Sequence, residues 1–195
     1  MQRGENPDED GAQLIDDVLV RSVELGLQGE LRQYPDLVDI LAYWSGKRGG
    51  RRFPGRGDID PVEIPQFLPR IMLADVSRDP LDFHYRLVGT GICDIHWFDF
   101  TRLTPRELEP PEYGRLVWDD YVAIVDRGEP VAHVVIFESP RKIRYYARIV
   151  LPLAADGETI DMLMIVDSRE QNTNELKDMF EAVSAHTAPP GVSLI

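Results

Sequence analysis

The sequence predicts an α+β domain on a five-stranded antiparallel sheet, with a helical crossover between the second and third strands. Three observations carry this expectation. After Pro69 the apolar spacing changes from helical to alternating, which gives a strand pair over residues 71–88. Residues 113–125 then return to helical spacing, with Val117, Tyr121 and Ile124 in one stripe and Trp118, Val122 and Val125 in the next. Three runs rich in β-branched and aromatic residues follow, at 131–138, 144–153 and 159–166. Such a sheet buries one face under helices, so the helices are expected on one side.

Each element has a local reason. Residues 1–12 are polar and charged and read as a frayed terminus. Over 13–27 the apolar residues Leu14, Val18 and Leu25, flanked by Ile15 and Leu19, recur roughly at helical spacing and predict an N-terminal helix. Leu37, Ile40, Leu41 and Trp44 fall at i, i+3, i+4 and i+7 and predict a second helix, with Asp36 as its N-cap and the glycines of residues 46–50 as its end. Asp60 before Pro61 predicts a short capped turn. Asp79-Pro80 turns the first strand into its partner, where Phe83, Tyr85 and Leu87 alternate with His84, Arg86 and Val88. Gly89-Thr90-Gly91 reads as a tight strand exit, residues 92–112 as short turns, and Arg127-Gly128 as a helix stop. The last strand is apolar on both faces, which marks a central strand. Leu176, Met179, Phe180 and Val183 predict a closing helix over 175–185. The expected division is an acidic leader and helix at 1–35, the sheet domain at 36–168, and a C-terminal helix and tail at 169–195.

The composition excludes several classes. A net charge of −13 over 195 residues opposes general nucleic-acid or anionic-membrane binding, which need a positive field. Eight of the acidic residues, against two basic ones, lie within Met1 to Glu30. One cysteine, Cys93, forms neither an intramolecular disulfide nor a cysteine-rich zinc site. With no apolar leader and no long apolar run, the reading is cytoplasmic.

Trp44, the Pro54…Asp58-Ile59-Asp60-Pro61 segment, Leu68-Pro69, Tyr85-Arg86-Leu87-Val88-Gly89-Thr90-Gly91, and Leu151-Pro152-Leu153 before Asp156-Gly157 resemble the PAS_5 family of PAS domains. The resemblance spans about residues 36–167. It implies a bacterial sensory or regulatory module on a five-stranded PAS sheet, found largely as stand-alone alphaproteobacterial proteins. Where family members often carry a phenylalanine-glycine-aspartate-like turn, this chain reads Trp97-Phe98-Asp99-Phe100-Thr101, and the bulky aromatic is expected to fill a cavity.

No catalytic constellation stands out. His84, His96, His133 and His186 lack zinc spacing, and His84 and His133 read as satisfied strand residues. Haem is disfavoured because residues 113–125 hold no histidine, and flavin adduct chemistry because Cys93 lacks the asparagine and arginine neighbours of light-sensing relatives. There is no G-x-S-x-G elbow or phosphate loop. Asp119-Asp120 reads as a solvated helix face. Arg86 is expected to pair with Asp94 or Asp99 or to hold an anion. The basic run Lys47-Arg48…Arg51-Arg52…Arg56 reads as a solvated linker. The candidate ligand residues are Arg86, Thr90, His96, Trp97, Trp118, Tyr121 and Tyr145. The expected function is non-catalytic: a small ligand between the sheet and helix 113–125 biases a protein contact, with a homodimer or a separate signalling protein as partner. The N-terminal helix or the uncovered outer sheet face would form the dimer surface. The alternative is a cone-shaped α+β hydrolase or isomerase, similar to the nuclear-transport-factor-2-like fold, with His84 and Asp94 or Asp99 as an Asp/His dyad.

Overall fold

A computed structural model describes residues 18–140, 142–169, 178 and 180. Its first element corrects the expected N-terminal helix, since Leu19–Leu25 is a strand, β1. Within it Leu19, Arg21, Val23 and Leu25 alternate with Val20, Ser22 and Glu24, and the whole strand pairs antiparallel with residues 132–138. Edge pairing supplies backbone partners that an isolated amphipathic turn lacks, so tertiary context overrides the helical spacing. The sheet therefore has six strands rather than five.

Helix α1 spans Pro35–Arg48 with Tyr34, not Asp36, at its N-cap position and no side-chain cap; Pro35 occupies its first turn. Asp36 is freed for a different task, accepting from Ser168 Oγ at 2.8 Å, the Arg169 amide at 2.9 Å and Arg70 at 2.9 Å. Burial pushes this carboxyl up, but the three donors outweigh burial and hold it below the usual value. The α1 stripe Leu37, Ile40 and Trp44 is buried, and Trp44 Nε1 donates to the Pro152 carbonyl at 2.8 Å. Each such side chain contributes about 1.5–3 kcal/mol by burial.

The basic run that begins in the last turn of α1 is not a free linker. Lys47 pairs with Glu63 at 2.5 Å, Arg51 with Asp58 at 2.8 Å, and Arg56 donates to the Ile59 carbonyl. These contacts fold residues 51–70 into short 3₁₀ turns, one capped by Asp60 as its sequence suggests.

Strands β2 (Ile71–Arg78) and β3 (Leu81–Val88) form a hairpin with a bulge after Leu73. The crossover holds α2 (Thr90–His96) and α3 (Pro111–Arg127), the latter stopped by Gly128 at φ +66°. Strands β4 (Val131–Glu138), β5 (Ile143–Leu153) and β6 (Met162–Asp167) complete an antiparallel sheet of order β1-β4-β5-β6-β2-β3. β6 is wholly buried and internal, as its doubly apolar sequence demands.

The register assigns the faces. Tyr146, Arg148 and Val150 of β5, with Val131, His133, Val135 and Phe137 of β4, face α3. On the other face Ile149, Leu151 and Leu153 are also fully buried, and the 3₁₀ turns place Ile59 and Ile64 against Leu73 and Met164. Helical structure thus covers both faces instead of one. Toward the β1 edge the outer face exposes Leu19, Val23, Ile143 and Tyr145. Asp178 and Phe180 are helical; the remainder of the expected closing helix lies outside the described residues. Among those residues no helix is long and apolar enough to cross a membrane.

Candidate functional site

Beneath α3 the inner face of the sheet buries a polar cluster centred on Arg148. Arg148 sits at the middle of β5, 1% exposed, opposite His133 of β4 and Asp167 of β6. From α3, Asp120 reaches it at 2.6 Å. Two tyrosine pairs stand around the guanidinium: Tyr113 and Tyr146 with hydroxyls 2.8 Å apart, and Tyr85 and Tyr121 at 3.3 Å. Burial pulls Arg148 down, but Tyr146, Asp120, Tyr121 and Tyr113 outweigh it, so the side chain keeps its charge. Burial also raises all four phenols, leaving them protonated hydrogen-bonding groups. Asp167 is pushed up to about 7 by burial, against the pull of Arg148 and Arg70.

The cluster is incompletely satisfied. Arg148 Nε, Asp167 Oδ1 and His133 Nδ1 are buried without a hydrogen-bond partner among the described residues, and unmet buried polar groups cost free energy. His133 is thus not the satisfied strand residue expected. Its Nδ1 lies 3.7 Å from Asp120 Oδ2, too far to bond, and burial lowers its basicity so that the ring is neutral. Asp120 in turn is not a solvated helix residue. A cavity of about 250 Å³ opens beside this pair, between β1, β4 and the C-terminal half of α3. Ser22, Glu24 and Arg127 form its outer rim, where Arg127 donates to Glu24 at 2.7 Å.

The expected ligand residues are not gathered in one place. Tyr121 is in the cluster. Trp118 packs edge-on to Phe83 at 5.0 Å and carries Arg106 stacked at 3.5 Å. His96 is buried among Phe180, Phe100 and Tyr113, the nearest ring 3.9 Å away, and burial holds its pKa down to about 3. Trp97 is half-buried at φ +63° beyond α2, while Phe100 fills the core against Tyr85 at 4.9 Å. Thr90 is exposed and Tyr145 faces outward. Arg86 pairs neither with Asp94 nor with Asp99; it bonds Asp75 across the β2–β3 hairpin at 2.8 Å with an exposed side chain. The alternative dyad is not assembled either: His84 is half-exposed beside Asp82 at 4.0 Å, and Asp99 accepts from Thr101. Cys93 is buried, which pushes its thiol up to about 11.

Arg148, Asp167, His133 and Asp120 were not singled out as a site by sequence. The available signal is the alternation Arg144, Tyr146, Arg148 on one face of a strand read as rich in β-branched and aromatic residues. The segment from α1 to the turn before α3, residues 32–109, matches the family model PAS_5, described as a PAS domain. No curated protein matches the chain.

Proposed function

We propose, from the match of residues 32–109 to the PAS_5 family of PAS domains, a non-catalytic regulatory module in which a ligand near Asp120 and His133 biases a contact with a second copy of the chain. PAS domains of this family are sensory or regulatory and generally not enzymes, which sets the coarse reading. The observation that supports the finer one is the buried polar cluster under α3, whose members Asp120 and His133 line a cavity at the β1 edge.

β1 links that cavity to the outer surface. Its inward residues Ser22 and Glu24 line the cavity, while its outward residues Leu19 and Val23 are exposed on the other face. Ser22 Oγ donates to Asp120 at 3.4 Å, a long contact that an occupant of the cavity would replace. Such replacement shifts β1 against α3, and the apolar patch on the opposite side of the same strand moves with it. The patch carries Arg21 and Glu138, 3.7 Å apart, between Leu19, Val23, Ile143 and Tyr145. One charge of each sign amid apolar residues suits pairing of the patch with itself about a two-fold axis.

Sedimentation equilibrium tests the output. The native chain is expected to dimerise in the micromolar to hundred-micromolar range, and Val23→Glu to sediment as a folded monomer with an unchanged circular dichroism spectrum. A native chain that stays monomeric throughout that range overturns the second-copy contact.

A further inference from the structure

We propose that the cavity between the 3₁₀ turns of residues 56–70 and the outer face of β2, β3 and β6 binds a medium-chain aliphatic carboxylate, with Arg56 holding its head group. This site lies on the opposite side of the sheet from the Arg148 cluster and is independent of the regulatory reading above.

The strand registers build its floor. Leu73 of β2 stands beside Leu87 of β3 and Met164 of β6, so three adjacent strands present one apolar row. Ile59, Ile64 and Leu68 of the turns roof that row around a cavity of about 290 Å³. The lining is reachable from solvent: Leu68 is 41% and Leu87 42% exposed, and Arg56 is exposed as well. The volume equals that of about ten waters at ~30 Å³ each, which suits a chain of about eight carbons with its carboxylate. An aliphatic tail takes this apolar surface out of water without leaving a polar group unpaired.

Arg56, the charged residue on the lining, selects the head group. It donates through Nη1 to the Ile59 carbonyl at 3.0 Å, and its Nε and Nη2 have no partner among the described residues. The carboxylates nearest to it in sequence are already engaged. Asp58 is held by Arg51 at 2.8 Å, Glu63 by Lys47 at 2.5 Å, and Asp60 accepts from the Val62 amide at 2.9 Å. Residues 47–63 carry five basic residues against three acidic ones, so the local field is positive although the whole chain is negative. Charges farther than about 8 Å are largely screened at physiological ionic strength, so this local balance governs. The planar fork of a guanidinium matches a carboxylate with two parallel N–H donors, whereas an ammonium head would meet a like charge.

Amide-detected NMR titration of the full chain with sodium octanoate, kept below its micelle concentration, tests the proposal. The controls are 1-octanol, n-octylammonium and acetate, which lack the charge, reverse it or lack the tail. Saturable shifts at residues 56–73, Leu87 and Met164 are expected with octanoate, and no binding of comparable affinity with the controls. Arg56→Gln removes the charge at an exposed position and should weaken binding about tenfold, the loss of one charge-assisted pair. Leu87→Asp sets a carboxylate against the tail and should abolish binding, with an unchanged circular dichroism spectrum. No response to octanoate, equal binding of any control, binding unchanged by Arg56→Gln, or binding that survives Leu87→Asp overturns the proposal. Shifts confined to β1, β4 and α3 would assign octanoate to the inner cavity and overturn it as well.

Discussion

Arg148 holds the inner cluster together by charge rather than by packing alone. Its guanidinium has one carboxylate partner in Asp120, a face of phenols around it, and Asp167 opposite on the neighbouring strand. Removing one member of a buried ion pair strands the other without water, so Arg148→Met is expected to cost about 3–5 kcal/mol. Replacing both, as Arg148→Met with Asp120→Leu, removes the stranded charge along with its partner. The double variant should therefore be less destabilised than the sum of the single changes by about 1 kcal/mol or more. Urea denaturation of the four proteins measures this coupling, and strictly additive losses would show that Asp120 and Arg148 do not act as a unit.

At the scale of elements, the packing of α2 rests on a backbone approach that only glycine permits. A Cβ at Gly89 would meet the Pro69 carbonyl oxygen at 2.5 Å and that of Leu68 at 2.7 Å. The strand exit and the 3₁₀ turn of Leu68–Arg70 are in contact there, with the Gly89 amide also donating to the Ile71 carbonyl at 2.8 Å. Gly89→Ala must push backbone aside and should cost about 1–3 kcal/mol. Gly57→Ala, where the new methyl meets nothing within 4 Å, should change stability by about 0.5 kcal/mol or less. Thermal unfolding of the two variants checks the contrast; equal losses would mean that the close approach relaxes freely. The Gly-Thr-Gly strand exit was legible in sequence because turn chemistry is local. So were α3, with its stripe of Val117, Tyr121 and Ile124 and its Gly128 stop, and the doubly apolar β6. β1 was not legible, because the alternation of Leu19 to Leu25 gains its meaning from an edge of β4 more than a hundred residues away. The same holds for the site. Which residue faces Arg148 is decided by the registers of β4 and β6 against β5, and no local spacing announces those registers.

Across the whole molecule, two buried titrating groups pull the pH dependence of stability in opposite directions. The Asp167 carboxyl lies at the end of β6, facing Arg148 and Arg70, and burial raises it from an ordinary 3.8 to about 7. Between those values the folded chain keeps a proton that the unfolded chain releases, so stability falls as pH rises, by up to about 1.4 kcal/mol per pH unit. His96, at the end of α2 among Phe100, Tyr113 and Phe180, is held down from 6.5 to about 3 by burial. There the unfolded chain takes a proton that the folded chain refuses, so stability falls as pH drops through the same interval. From about pH 4 to 6.5 the two slopes oppose each other in the native chain. Asp167→Asn keeps only the histidine slope, and its stability relative to the native chain should climb with pH across that window. His96→Phe, which preserves the ring contacts, keeps only the carboxyl slope and should decline instead. The depressed carboxylates of Asp36, Asp58 and Glu63 and the lowered His133 imidazole are common to all three proteins and drop out of the differences. Denaturation curves at half-unit pH intervals would separate the two variants, and parallel profiles would mean that neither buried group titrates as its surroundings dictate.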